Sequence, residues 1–226
     1  SEMCIRDRIY TEMKRAWDNN AQRLWILNVG DIKPGEYLTE FFLDMAWNID
    51  AFSGNTIYAH QQNWTMNTFG HHASEEIHTL MKQYYHLAGH RKPEHLGWNN
   101  VEEWSKGYPR GVEPVRDTEF SSTVFGDEME RRINAYNEMV NLSNDVYKHK
   151  IPNRLKAAYF QLIHYPVIAS GAMNRKMLYA QKSRHYAKEN PELAAYYARL
   201  ATEAYHKIAA LDYAYNKDCL LYTSPS

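Results

Sequence analysis

Across residues 24–48 the apolar rhythm changes once, from a continuous run to a helical stripe. Leu24, Trp25, Ile26 and Leu27 are consecutive apolar residues, the pattern of a short strand buried on both faces. Gly30, Pro34 and Gly35 then break the chain. From Glu36 onward, Tyr37, Leu38, Phe41, Phe42, Met45 and Ala46 recur at helical spacing. The segment therefore predicts one βα unit. Its polar turn holds Asn28, Asp31 and Lys33 at the strand's carboxyl end, where α/β folds place ligands.

Elsewhere the pattern predicts helices. Residues 9–20 read as a helix end carrying Met13, Ala16 and Trp17 on one face. Residues 58–88 read as helix broken near Gly70, with Ile77, Leu80, Met81, Tyr84 and Ala88 as the stripe and Gly89 as its C′ residue. Residues 105–126 hold Gly107, Pro109, Gly111, Pro114 and Gly126 and predict an irregular connection. Three long helices follow, over 127–148, 153–187 and 190–217. Pro166 lies on the apolar stripe of the second and predicts a kink or a split there. Asn190 followed by Pro191 predicts an N-cap and first-turn proline for the third. Short turns between these helices favour an antiparallel bundle.

The two ends change what counts as native chain. Residues 1–7, SEMCIRD, can be encoded by TCG GAG ATG TGT ATA AGA GAC, and residues 219–226, CLLYTSPS, by TGT CTC TTA TAC ACA TCT CCG AGC. These strings are reverse complements over their shared length and match a transposase adapter of sequencing libraries. Residues 1–8 and 218–226 are therefore expected to be adapter-derived, leaving an internal piece of a longer protein. Cys4 and Cys219 both fall in these ends, so cysteine usage carries no redox information. Of the whole chain, 44% is hydrophobic and 23% charged, with net charge −1 and no block of like charge. That composition argues against a nucleic-acid footprint. No run approaches the roughly 20 apolar residues of a membrane span.

Asp31 is the strongest chemical candidate, a carboxylate just past a strand end; a turn-forming Asp explains it equally well from local sequence alone. Lys33 suits an anionic sugar carboxylate as a point charge, against the commoner solvated lysine. Asn28 either bonds sugar hydroxyls or satisfies turn backbone. Glycoside hydrolysis normally uses two carboxyl groups, roughly 6.5–9.5 Å apart for inversion and about 5–5.5 Å for retention. Only Asp31 is well placed; Glu40 and Asp44 lie inside the following helix, facing solvent or a neighbouring helix. His71, His72 and His78 beside Glu75 and Glu76 read as a solvated helix face rather than a metal site.

The stretch NVGDIKP followed by FFLDMAWN resembles glycoside hydrolase family 115, the xylan α-1,2-glucuronidases. FGHHASEEIHTLMKQYYHLAGHRKPEHL and RLKAAYFQLIHYPVIASGAMNRKMLYAQKSR resemble the same family, with His90 a small departure. The resemblance implies an α/β plus all-α fold: the C-terminal part of a (β/α)8 barrel over 9–97, an irregular connection over 98–126 and an antiparallel helical bundle over 127–217. It implies release of glucuronic or 4-O-methylglucuronic acid from glucuronoxylan by inversion, without cofactor or metal. Asp31 is then the catalytic residue, for proton transfer or water positioning, with Lys33 and Asn28 as substrate ligands. The second carboxylate is expected upstream, so isolated catalysis by this polypeptide is not. A secreted or periplasmic location and a homodimer of the full-length protein are also implied. Two other readings remain: a non-catalytic helical scaffold or oligomerisation module, and a barrel hydrolase acting on a neutral sugar.

Overall fold

The computed structural model describes residues 5–29, 35–97 and 116–219. Its helices are α1 (Ile5–Asp18), α2 (Glu36–Trp47), α3 (Thr56–Phe69), α4 (Ser74–His90), α5 (Glu128–Asp145), α6 (Lys156–Tyr159), α7 (Tyr165–Tyr186) and α8 (Pro191–Tyr213). No strand occurs among the described residues. The expected barrel portion is thereby overturned. Residues 24–29 have no regular secondary structure, and Leu24 and Ile26 are 75% and 81% exposed instead of buried. The reason is physical: a strand is defined by its ladder, and the described residues offer no second strand for this run to pair with. An apolar run of this length does not by itself specify a sheet.

The chain divides into two compact units. The first comprises residues 1–90, 139–168 and 215–226. Its core is built on α2, which buries Tyr37, Phe41, Phe42 and Met45. Helix α1 packs on α2 and α4, and α3 packs on α4. Gly70 has φ of +70°, which ends α3 and turns the chain toward α4, as the sequence predicts. Gly89, by contrast, lies inside α4, which runs on to His90. The long helix expected over 153–187 is split: α6 gives way to a π-helical turn, Phe160–His164, before α7 begins one residue ahead of Pro166. Proline has no N–H to give to the carbonyl four residues back, so the ladder widens where it arrives. That turn places His164 Nδ1 2.8 Å from Ser143 Oγ, with Tyr159 OH 3.1 Å from the same oxygen. Burial raises the Tyr159 phenol well above its usual value, although its bond to Ser143 opposes the shift.

The second unit comprises residues 91–138 and 169–214. Met129, Ile133 and Leu178 form its core, with Phe120 and Tyr179 packed against them. Arg132 is 5% exposed; its Nε donates to Asn174 Oδ1 at 2.6 Å and its Nη2 to the Arg91 carbonyl at 2.7 Å. Helices α7 and α8 run antiparallel here, since Ser183 Oγ donates to the Ala194 carbonyl while Tyr179 stacks on Tyr197. Asn190 Oδ1 accepts from the Leu193 amide at 3.0 Å, the expected cap.

Phe125, Gly126 and Asp127 all have positive φ, at +49°, +68° and +37°. Two of the three are not glycine, so the turn carries backbone strain of order 1–2 kcal/mol per such residue. Asp127 Oδ1 accepts from the Glu130 amide, closing the first turn of α5. Its other oxygen takes a hydrogen bond from Lys182 at 3.0 Å, and Lys182 donates to Glu130 Oε2 at 2.6 Å. Burial disfavours the Lys182 charge, but its bonds to Glu130 and Asp127 outweigh burial and raise its pKa. A raised lysine contributes stability that is complete below the ordinary value of 10.5 and is lost as pH climbs through the folded value. We expect Lys182→Met to destabilise the protein by about 1–3 kcal/mol in urea unfolding at pH 7. That is below the roughly 3–5 kcal/mol of a fully buried pair, because Asp127 and Glu130 remain 37% and 43% exposed. The difference between wild type and variant should shrink as pH rises past 10.5 and through the folded value.

Candidate functional site

Asp31 and Lys33 lie outside the described residues, as does the turn that holds them. The structure fixes what stands on either side. Asn28 is exposed near the end of the irregular stretch that precedes the turn. On the other side, Gly35 leads directly into α2, whose first residue is Glu36. Glu36 Oε1 accepts from Gln161 Nε2 at 2.5 Å. Glu36 Oε2 is buried and has no hydrogen-bond partner among the described residues. A buried carboxylate oxygen left so is uncommon. Nothing in the hydrophobic pattern points to it, because Glu36 reads as an ordinary acidic residue in a first helical turn.

Glu36, Glu40 and Asp44 follow one another at four-residue spacing and share a face of α2. Each meets a side chain from another element. Trp64 Nε1 donates to Glu40 Oε2 at 2.9 Å. His60 Nε2 lies 2.9 Å from Asp44 Oδ2. Both carboxylates therefore reach residues of α3, and both remain exposed. Beside them Tyr37, 3% exposed, meets Phe41, His60, Trp64 and Tyr85, with ring centroids 5.2–6.2 Å apart. Phe52 and Phe41 close on His60 from further sides.

The aromatic residues best suited to a sugar platform are used otherwise. Trp64 is 7% exposed and sits inside this layer. Trp25 packs on Phe42 at 5.7 Å and edge-on to Trp17 at 6.2 Å, and donates to the Ala21 carbonyl. The histidine group is divided between a turn and a helix: His71 and His72 precede α4, and His78 lies on it. His71 and His72 are exposed, Glu76 is paired with Lys150, and no metal-binding group occurs among the described residues. His78 is half-buried, and burial, then the Arg6 charge, lowers its pKa. Arg6 itself is 1% exposed, donates to Gln61 Oε1 at 2.8 Å and lies 4.4 Å from the Tyr58 ring centroid.

Residues 2–95 match the model of glycosyl hydrolase family 115. The chain is also similar to a solved structure described as a novel family 115 4-O-methyl-α-glucuronidase with specificity for decorated arabinogalactans. Identity is 39% and the TM-score 0.78; the match covers 96% of this chain and 26% of that one. The chain thus spans about a quarter of the length of the enzyme it matches. No match was found among curated proteins. The family match takes in Asn28, Asp31, Lys33 and all of α2, and the structural match extends the likeness over both units. On these grounds the chain belongs to glycoside hydrolase family 115.

Proposed function

We propose that the protein carrying this segment is an α-glucuronidase that releases glucuronic or 4-O-methylglucuronic acid from glucuronoxylan by inversion. The observation that carries the reading is the 39% identity, over nearly the whole chain, to a 4-O-methyl-α-glucuronidase. In this proposal Asp31 transfers a proton or positions the attacking water. Lys33 takes the uronate carboxylate as a point charge, and Asn28, exposed just before the turn, bonds a sugar hydroxyl. Helix α2 holds the far end of the turn in place. Because a xylan polymer is too large to cross a membrane unaided, the proposal puts the enzyme outside the cytoplasm, secreted or periplasmic. The similar enzyme's described preference supports a second reading, in which the acid is removed from decorated arabinogalactan.

The test is uronic acid release by a full-length family member carrying this segment. Asp31→Ala should lower turnover by about a hundredfold or more with the fold intact by circular dichroism. Lys33→Ala should raise KM for the acidic substrate while leaving kcat largely unchanged. Full activity in both variants would make the turn structural, and no release from either polymer by wild type would sink the reading. Faster release from arabinogalactan than from xylan would select the second polymer. As a control, Trp64→Phe removes the indole donor to Glu40 and part of a buried ring packed on Tyr37 and Phe69. It should cost about 1–3 kcal/mol of stability in urea unfolding and leave KM unchanged.

A further inference from the structure

The second unit contains a cavity of about 250 Å³ between α7 and α8. Ala172, Arg175 and Tyr179 line it from α7, and Leu200, Glu203, Ala204 and Lys207 from α8. Its origin is steric. Ala172 and Ala204 are buried at 0% and 7%, and where a longer side chain would fill the space between the helices, a methyl group leaves it open. The result is an apolar floor with a charged rim.

The rim is cationic in balance. Arg175 Nε makes only a long bond, 3.4 Å, to the carbonyl of Gly171 in its own helix. Neither Arg175 nor Lys207 has a carboxylate partner among the described residues. Glu203 is the one acid on the rim, and Arg199 lies 3.7 Å from it. Tyr179 supplies an aromatic wall. Its ring is fixed by stacking on Tyr197, with centroids 5.7 Å apart and planes at 23°. Burial raises its pKa, so the phenol stays neutral and able to donate at physiological pH.

We propose that this cavity binds the carboxylate-bearing ring of a single uronic acid residue, as a site separate from the Asp31 turn. Arg175 takes the carboxylate through its planar fork, and Lys207 adds a second positive charge. Glu203 accepts a ring hydroxyl, while Tyr179, Leu200 and the two alanines pack against the apolar face of the sugar. A volume of about 250 Å³ falls below the roughly 300–1,000 Å³ of drug-sized sites and suits one sugar ring. A bare phosphate would waste the apolar floor and meet the Glu203 carboxylate. The inference rests on this cavity alone and stands whether or not the proposed hydrolysis does.

The test is a titration of the 226-residue chain with sodium glucuronate, glucose and inorganic phosphate, followed by amide and alanine methyl NMR shifts. Glucuronate should move Ala172, Ala204 and Tyr179 with a dissociation constant on the order of millimolar, and at least tenfold more tightly than glucose. Arg175→Gln removes the fork without altering the floor, and Ala204→Leu fills the cavity without altering charge. Each should weaken glucuronate at least tenfold while the remaining spectrum stays folded. If Ala204→Leu disrupts the helices, Arg175→Gln alone carries the comparison. Equal binding of phosphate and glucuronate, or glucuronate binding insensitive to Arg175→Gln, would overturn the proposal. Loss of xylan activity in Asp31→Ala has no bearing on this readout, so the two readings fail separately.

Discussion

The structure of the first unit depends on the burial of one face of α2, whose aromatic residues are enclosed by protein while its row of carboxylates bonds side chains of neighbouring elements. Tyr37, Phe41 and Met45 are removed from water, which at about 25 cal/mol per Å² makes this helix a principal source of the unit's stability. Glu36 is half-buried, whereas Glu40 and Asp44 stay exposed. Side chains of other elements meet all three: Gln161 at Glu36, Trp64 at Glu40 and His60 at Asp44. The uncharged Gln161 and Trp64 donors stabilise Glu36 and Glu40 without placing a second charge beside them. This arrangement fixes the orientation of α2, and through Gly35 it fixes where the Asp31 turn must end.

In the second unit a single cation plays the comparable part. Lys182, buried on α7, holds Asp127 and Glu130 at the start of α5 and so maintains a turn with three consecutive left-handed residues. Strain of that kind persists only where surrounding contacts over-determine the backbone. The Asp127 cap and the Glu128 bond to the Ser121 amide complete that support.

Much of this was legible in the sequence, for identifiable reasons. The break at Gly70, the cap at Asn190 and the split before Pro166 follow from local backbone chemistry that tertiary context did not override. The apolar run Leu24 to Leu27 was misleading, because strand identity depends on a partner that the run itself does not encode. Gly89 was read as a helix end, yet one glycine inside a helix costs only about 1 kcal/mol and the packed stripe of α4 absorbs it. The carboxylate face of α2 was beyond reach from sequence. Four-residue spacing places Glu36, Glu40 and Asp44 together, but only the fold brings Gln161, from far along the chain, to meet the first of them. The unpartnered Glu36 oxygen and the Ala172–Ala204 hollow are properties of packing, with no signal in composition or spacing.

The most direct test of the account is native-state hydrogen exchange across α2. If the helix is anchored on both faces, the amides of Phe41, Phe42 and Met45 exchange only through global unfolding, with a free energy equal to that from urea denaturation. Exchange of these amides through low-energy local opening, while α4 remains protected, would contradict it.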